Sequence, residues 1–343
     1  MDGVLEQLPH FLQQMMPGSQ PFVVTDATVR RIYGKRLLAA FERAGQLVSV
    51  IEVPAGESSK NAELVFAIQT ELLNRGVHRD SVIVAFGGGV IGDLAGFVAA
   101  TVLRGIAFVQ VPTTLLAQVD SSVGGKVGID HPAGKNLIGA FHQPQAVLID
   151  VAFLRSLPER EFRSGLAEAV KIAAALDAKF FRFIARNARH IKRSNTTLLK
   201  RIVARSIGLK AAVVMDDEYE HGIRKALNLG HTIGHAIEAS SGYRVLHGEA
   251  VSIGMAAESD IAVGLGLMHE RDRNTMIRTL RALKLKTELP KITHRGQFFR
   301  ALQADKKTVG GKVRFVLPSA IGACALAVEV PSDAVERVIE RHR

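Results

Sequence analysis

Three histidines and two glutamates fall in the stretch L-N-L-G-H-T-I-G-H-A-I-E-A-S-S-G-Y-R-V-L-H-G-E, which runs from Leu227 to Glu249. His231 and His235 are four residues apart, so on a helix they share a face, and His247 follows a Ser-Ser-Gly break that can fold it back towards them. Imidazoles in that arrangement suit a divalent metal. A catalytic metal also needs an open position and often a carboxylate ligand, so the cluster points to partners elsewhere in the chain. For an i, i+4 pair alone, the competing reading is a shared exposed or core helix face. The third histidine, followed by Gly-Glu, and the glutamate-bearing helical patterns on both sides weigh towards the metal.

Glu168 and Lys171, in G-L-A-E-A-V-K, are three apart on an otherwise apolar helical pattern. A carboxylate among Leu166, Val170 and Ile172 is costly to bury without a cation or a metal, which makes Glu168 the candidate for the missing ligand. A surface salt bridge to Lys171 is the even alternative. A second chemical segment is G-G-G-V-I-G-D over 87–93, where Gly87, Gly89 and Gly92 satisfy G-x-G-x-x-G between a predicted strand and a predicted helix over 94–101. Such glycines bring backbone N–H groups to a pyrophosphate, but the pattern is weak alone. The acidic residue usual some 20 positions on is missing, since 107–114 holds no Asp or Glu, and the turn follows the third strand instead of the first. A tight strand-helix turn is the plain alternative; ribose contacts would otherwise come from Asp26, Glu57 or Lys60 at other strand ends. The segment 120–139, D-S-S-V-G-G-K-V-G-I-D and then G-K-N-L-I-G, reads as a glycine-rich loop of backbone donors and point cations, fit for phosphate or carboxylate or simply solvated. Val127 stands where a triphosphate-binding loop needs Ser or Thr, which disfavours a nucleoside triphosphatase.

The elements that must position these groups fall into two halves. At 343 residues and 47% apolar, the chain is long for one core and supplies enough apolar surface for two. Short apolar runs over 22–26, 48–53, 81–86, 108–111 and 146–150 read as strands, with helical periodicity between the first three, as over 61–75. That βαβ pattern predicts an α/β nucleotide-binding domain with a parallel sheet over 1–152, its strand ends gathered at one edge where ligands bind. From 153 to 343 the pattern predicts a mainly α-helical metal- and substrate-binding domain, with helices over 161–176, 178–190, 195–214, 226–240, 249–265 and 270–283. A hairpin over 312–317 and 323–330 and a last helix from Asp333 complete it, with a cleft between the domains as the natural site.

Composition bounds the partners. The 44 basic residues exceed the 33 acidic ones, and the net charge of +11 suits nucleic acid, a membrane surface or small anions. The densest basic run, over 189–193 and continuing at Lys200, Arg201 and Arg205, has the spacing of a solvated helix face. It lacks interleaved Trp or Tyr to stack bases, which argues against nucleic acid. A lone cysteine, Cys324, rules out an intrachain disulfide and fits a buried apolar run. No apolar run approaches the ~18 to 20 residues of a membrane span, and the start has no basic region before an apolar stretch, so a soluble cytoplasmic protein is expected.

Taken together these segments resemble 3-dehydroquinate synthases. The likeness runs in order through P-A-G-E-S-S-K, G-G-G-V-I-G-D, Arg104-Gly105, V-P-T-T-L-L-A-Q-V-D-S-S-V-G-G-K, Gly134-Lys135-Asn136, the Glu168 helix, L-N-L-G-H-T-I-G-H, H-G-E and Asp305-Lys306-Lys307. The wider fold is shared with glycerol and iron-type alcohol dehydrogenases. The resemblance implies zinc, with cobalt as an alternative, held by Glu168, His231 and His247. It implies NAD across Asp26, Glu57, Lys60, Gly89, Val90, Ile91, Gly92, Asp93, Thr113 and Thr114, with Lys126 and Lys135 close by. It moves His235 from the metal to a contact with substrate phosphate. Asp120, Lys126, Lys135, Asn136, Lys171, Lys210, Arg224, Asn228 and one of Lys306 and Lys307 match the substrate pocket, and Arg104 matches a residue donated across a homodimer.

The substrate implied is an anionic sugar-acid phosphate, 3-deoxy-D-arabino-heptulosonate 7-phosphate. Oxidation of its C5 alcohol by NAD acidifies the neighbouring C–H, phosphate leaves by β-elimination, the hydride returns, and an aldol step closes the ring. The substrate phosphate can itself take the proton, so no dedicated strong base is required; Thr232 stands where a zincin peptidase carries glutamate. Leu103 replaces the methionine common before Arg104-Gly105. A metal-dependent alcohol or polyol dehydrogenase and another sugar-phosphate cyclase are the alternatives.

Overall fold

Strands such as Phe22-Val23-Val24 and Val82-Ile83-Val84-Ala85-Phe86 are apolar on both faces, so both faces must be covered. In the computed structural model, which describes residues 2–242, 244–290, 295–304 and 313–341, they are. The chain divides into two units, Met1–Leu157 and Pro158–Arg343.

The first unit comprises α1 (Val4–Met15), β1 (Pro21–Asp26), α2 (Ala27–Arg43), β2 (Ser49–Val53), α3 (Ala62–Asn74), β3 (Val82–Gly87), α4 (Gly89–Thr101), β4 (Ala107–Pro112), β5 (Lys126–His131), β6 (Gly134–Phe141) and β7 (Ala146–Val147). Five strands form a parallel sheet in the order β2-β1-β3-β4-β7. Alternate side chains divide between the two faces. Phe22, Val24, Ile83, Ala85 and Phe108 pack with α3 and α4, while Val23, Val82, Val84, Phe86 and Val109 pack with α1 and α2. Strand order reverses between β1 and β3, and the carboxyl ends of these strands, at Asp26 and Gly87, flank that switch point. Open α/β sheets take ligands at such a point.

The segment expected as a glycine-rich loop over 120–139 is ordered instead. A wide π-type turn over Ala117–Ser121 leads into an antiparallel hairpin of β5 and β6. Val127 and Ile129 alternate inward onto the α3 and α4 core, and Gly128 faces Gly139 across the ladder, where a Cβ on either would strike the opposite backbone. A period-two signal interrupted by glycines reads as loop in sequence; the glycines are there because two backbones approach closely.

The second unit comprises α5 (Glu159–Leu176), α6 (Ala178–Asn187), α7 (Thr196–Asp216), α8 (His231–Ser240), α9 (His247–Gly264), α10 (Glu270–Ala282), α11 (Arg295–Ala304), β8 (Arg314–Ala320), β9 (Ala323–Glu329) and α12 (Ser332–Arg341). Its core joins Ile233 and Ile237 of α8, Ile253 and Ile261 of α9, Phe298, Phe315 and Leu317, and Val335 and Val338. The single helix expected over 226–240 is broken. A 3-10 turn over Ile223–Asn228 ends before Gly230, which adopts a left-handed φ of 80° and lets α8 start afresh at His231. A Cβ on Gly230 would also lie 2.6 Å from the carbonyl oxygen of Val251 in α9.

Two smaller expectations shift as well. Helix α6 stops at Asn187, so the basic run 189–193 lies on a 3-10 turn over Ala188–His190 and the chain beyond it, not on one helix face. Cys324 is half-buried in β9. The hairpin expected near the end is β8 and β9; Lys312 lies outside the described residues. No described helix is long and apolar enough to cross a membrane.

Candidate active site

Helix α5 carries Glu168 and Lys171 on one face, and both are buried, at 0% and 1% exposure. Lys171 Nζ lies 2.7 Å from Glu168 Oε2. The pair is therefore an interior one, and the surface salt bridge considered from the sequence does not occur. Neither carboxylate oxygen of Glu168 accepts a hydrogen bond of good geometry among the described residues. A carboxylate so placed is expensive unless a cation completes its environment.

Two histidines face it. His247, the first residue of α9, sets Nε2 3.1 Å from Glu168 Oε1, and His231, the first residue of α8, sets Nε2 3.8 Å from the same oxygen. In each ring the other nitrogen is occupied. His231 Nδ1 lies 3.2 Å from the carbonyl oxygen of Leu229, and His247 Nδ1 lies 3.2 Å from Glu238 Oε2. With Nδ1–H donating to an oxygen, Nε2 is left as the donor atom towards Glu168, which is how protein imidazoles are usually prepared for a metal. One ligand atom from each of Glu168, His231 and His247 lies within 4.8 Å of the others. Two imidazoles and one carboxylate suit zinc, cobalt or iron, so the donor set and the buried Glu168 oxygen that faces both rings fit a divalent ion.

Burial opposes a charge on His247, but Glu238 and Glu168 outweigh it and hold the imidazolium up to about 10. A second group of three, His235, Glu238 and His247, also has ligand atoms within 4.8 Å of one another, but His235 is exposed. The His235 ring centroid lies 5.3 Å from that of His231 and 6.2 Å from that of His247.

The helix starts that carry the two histidines are fixed by close backbone contacts. Gly248 N donates to Ser164 Oγ of α5 at 3.0 Å, and a Cβ on Gly248 would strike the Ser164 backbone. The buried carboxylate of Glu258 accepts from the Gly230 and Ile233 amides, capping α8 from α9. Glu249 accepts from Leu246 N just before α9 and from Arg160 of α5 at 2.7 Å. Burial works against ionisation of Glu249, but Arg160, Lys286 and the Leu246 amide lower its pKa to about 2.

Further cations of the second unit stand on elements that pack against α5. Lys210 on α7 and Arg224 in the 3-10 turn are buried, Arg224 donating to the Glu218 carbonyl oxygen. Asn228 donates to the Glu220 carboxylate. Lys306 and Lys307 lie outside the described residues.

In the first unit the expected nucleotide residues gather at the carboxyl edge of the sheet. Helix α4 begins at Gly89 without a side-chain cap and without an acidic residue in its first turn, so its leading N–H groups, with Val90 and Ile91 just inside, point to an anion-ready end. Gly88 and Gly92 also sit close to neighbouring side chains: a Cβ would lie 2.9 Å from Thr114 Cγ2 and 2.7 Å from Gln110 Oε1. Thr113 N donates to the Gly87 carbonyl oxygen at 2.8 Å. Asp26 caps α2, its Oδ1 accepting from the amides of Thr28 and Val29 at 2.9 and 3.0 Å.

Lys60 knits this edge together. Its Nζ donates to Asp93 at 2.8 Å and to Asn136 Oδ1, its carbonyl oxygen accepts from Asp130 N at 2.8 Å, and Lys135 lies 3.5 Å from Glu57. Burial disfavours the Lys60 charge, yet Asp93 and Glu57 outweigh it and raise the pKa. Asp120 sits in the π-type turn and Lys126 opens β5. Arg104 is exposed on a turn where it and Leu103 both take left-handed φ, 68° and 50°.

Residue patterning did not single out Glu238 or Glu258. Glu238 had a signal: seven residues after His231 it returns to the same helix face. Glu258 had none, because a cap contributed from a distant helix leaves no local spacing.

Comparison with known proteins follows the same division. Residues 50–164 match the model of the 3-dehydroquinate synthase N-terminal family, and residues 165–308 match that of the 3-dehydroquinate synthase C-terminal family. The chain is 43% identical over 340 residues to the 3-dehydroquinate synthase of Desulforamulus reducens, covering 99% of this chain and 95% of the relative. It is 47% identical over 322 residues to that of Citrifermentans bemidjiense, covering 94% and 89%. Among solved structures it superposes on 2-epi-5-epi-valiolone synthase from Streptomyces hygroscopicus subsp. jinggangensis with NAD+ and Zn2+ bound, at TM-score 0.92, 28% identity, and 99% and 94% coverage. A 2-deoxy-scyllo-inosose synthase complexed with carbaglucose-6-phosphate, NAD+ and Co2+ gives TM-score 0.90 at 28% identity, with 100% and 95% coverage. A probable glycerol dehydrogenase from Sinorhizobium meliloti, at 18% identity and TM-score 0.68, shares the fold.

Proposed function

The chain belongs to the 3-dehydroquinate synthase family, and from that premise we propose that it converts 3-deoxy-D-arabino-heptulosonate 7-phosphate to 3-dehydroquinate and phosphate with NAD and a divalent metal. The observation that carries this reading is the buried Glu168 carboxylate, without a well-aligned hydrogen bond and faced by two imidazole Nε2 atoms. A zinc or cobalt ion bound there would polarise a substrate hydroxyl as a Lewis acid, and NAD would take a hydride and return it.

The chain's own residues do the rest. Lys171 neutralises the second oxygen of Glu168 and fixes the carboxylate plane. Leu229 and Glu238 set the tautomers of His231 and His247. His235, one helical turn beyond His231 and exposed, is the contact for the substrate phosphate, while Lys210 and Arg224 offer charge to its anionic groups. The substrate phosphate can take the proton released beside the new carbonyl, so that step requires no dedicated strong base. In the first unit, Gly89 to Asp93 and the α4 end receive the pyrophosphate, Thr113 and Thr114 line the same edge, and Asp26, Glu57 and Lys60 hold the remainder of the nucleotide.

We assign a cytoplasmic homodimer in which Arg104 serves the partner. The strained turn supports this: Leu103 and Arg104 both take left-handed backbone, Leu103 packing on the core while Arg104 is exposed. The deciding assay supplies the heptulosonate phosphate with catalytic NAD and zinc. Phosphate and dehydroquinate should appear with no net NADH. Folded, metal-loaded protein that yields neither, or that accumulates NADH from a simple polyol, overturns the reading.

A further inference from the structure

We propose that Glu238 is the positioning residue of the metal site, holding the His247 ring by Nδ1 so that Nε2 faces Glu168, without itself being a ligand. This rests on the ligand set proposed above. Glu238 is buried at 3% exposure and lies on α8 seven residues after His231, so one helix delivers a ligand with its first residue and the orienting carboxylate two turns later. The His247 ring lies between two carboxylates, with Nδ1 3.2 Å from Glu238 Oε2 and Nε2 3.1 Å from Glu168 Oε1.

An imidazole cannot turn both nitrogens to one ion, so the two candidate groups that share His247 compete. Three features favour Nε2. Glu168 accepts no well-aligned hydrogen bond that a cation would have to replace. His231 presents the same nitrogen, its Nδ1 lying against the Leu229 carbonyl oxygen. The rival group depends on His235, which is exposed. A carboxylate accepting from Nδ1–H both selects the tautomer and makes Nε2 more basic. The backbone of the same ligand is held from the other side, by Ser164 against Gly248. Glu258 gives a contrast: also buried, it accepts from the Gly230 and Ile233 amides and so caps the start of α8.

The test compares zinc affinity, by competition with a chromogenic chelator, in the full-length wild type, Glu168→Ala, Glu238→Gln and Glu258→Gln, with thermal unfolding of each metal-free protein. Glu168→Ala should abolish stoichiometric zinc binding. Glu238→Gln should bind zinc roughly 10–100-fold more weakly with metal-free unfolding unchanged, the range seen when an outer-shell partner is lost. Glu258→Gln should lower the unfolding temperature instead. Ring 15N resonances of the zinc-loaded wild type give an answer that needs no variant: His247 should show Nε2 bound to metal and Nδ1 protonated. The opposite assignment, wild-type affinity in Glu238→Gln, or complete loss of zinc binding in a folded Glu238→Gln overturns the proposal. Unimpaired zinc binding in Glu168→Ala overturns the ligand set itself.

Discussion

A buried carboxylate that accepts no aligned hydrogen bond is a poor structural element but a good ligand, and at the residue scale Glu168 carries the heaviest expectation. Removing it or His247 should eliminate metal binding and activity together. His235→Ala should keep the metal, measured by stoichiometry after dialysis, and raise KM for the phosphorylated substrate. Equal metal loss in all three variants would return His235 to the ligand set. The sequence made the histidine cluster legible through i, i+4 spacing, and the apolar helix around Glu168 through the cost of burying charge. The choice among three imidazoles was not legible from spacing, because it depends on which ring nitrogen already has a partner. Leu229 and Glu238 supply those partners only in the folded chain.

Elements place these residues by backbone contact. Helix α9 starts against α5 at Gly248 and Ser164, so Gly248→Ala should force the helices apart. Overpacking of this kind costs about 1–3 kcal/mol, and here zinc affinity should fall with stability, read by chelator competition and chemical denaturation. A second prediction concerns Asp177, which caps α6 through the amides of Lys179 and Phe180 and pairs with Arg205 of α7. Burial opposes ionisation of Asp177, but the Phe180 amide, Arg205 and the Lys179 amide outweigh it and hold the carboxyl below its usual range. A lowered pKa means that the folded state binds the proton less readily than the unfolded chain. The contribution is therefore present above the unfolded carboxyl pKa and fades as pH falls through the folded one. Asp177→Asn should flatten that acid limb in unfolding titrations, and Asp177→Ala should cost about 0.5–2 kcal/mol at neutral pH. Glycine was ambiguous at this scale: the residue type that suggested loop over 120–139 permits a tight hairpin, and Gly230, inside the helix expected over 226–240, breaks it so that α8 starts at His231.

For the whole molecule, the assignment of Arg104 to the partner predicts complementation. An equal mixture of Arg104→Ala and Glu168→Ala chains, unfolded together and refolded, should recover about a quarter of wild-type activity, since half the dimers are mixed and each has one complete site. No recovery from a mixture shown to contain mixed dimers would place Arg104 in its own subunit's chemistry. The sequence by itself determined the two-part α/β and helical organisation, because strand and helix periodicities are local and the apolar runs are long enough to read. It also determined the chemical inventory, since spacing and charge are written in the chain. Only the tertiary structure decided which inventory residues meet. The carboxylate at Glu168 and the histidine at His247 are far apart in sequence and come together where α5 and α9 touch backbone to backbone, and the ring nitrogen each histidine offers is chosen by a partner that local spacing does not name.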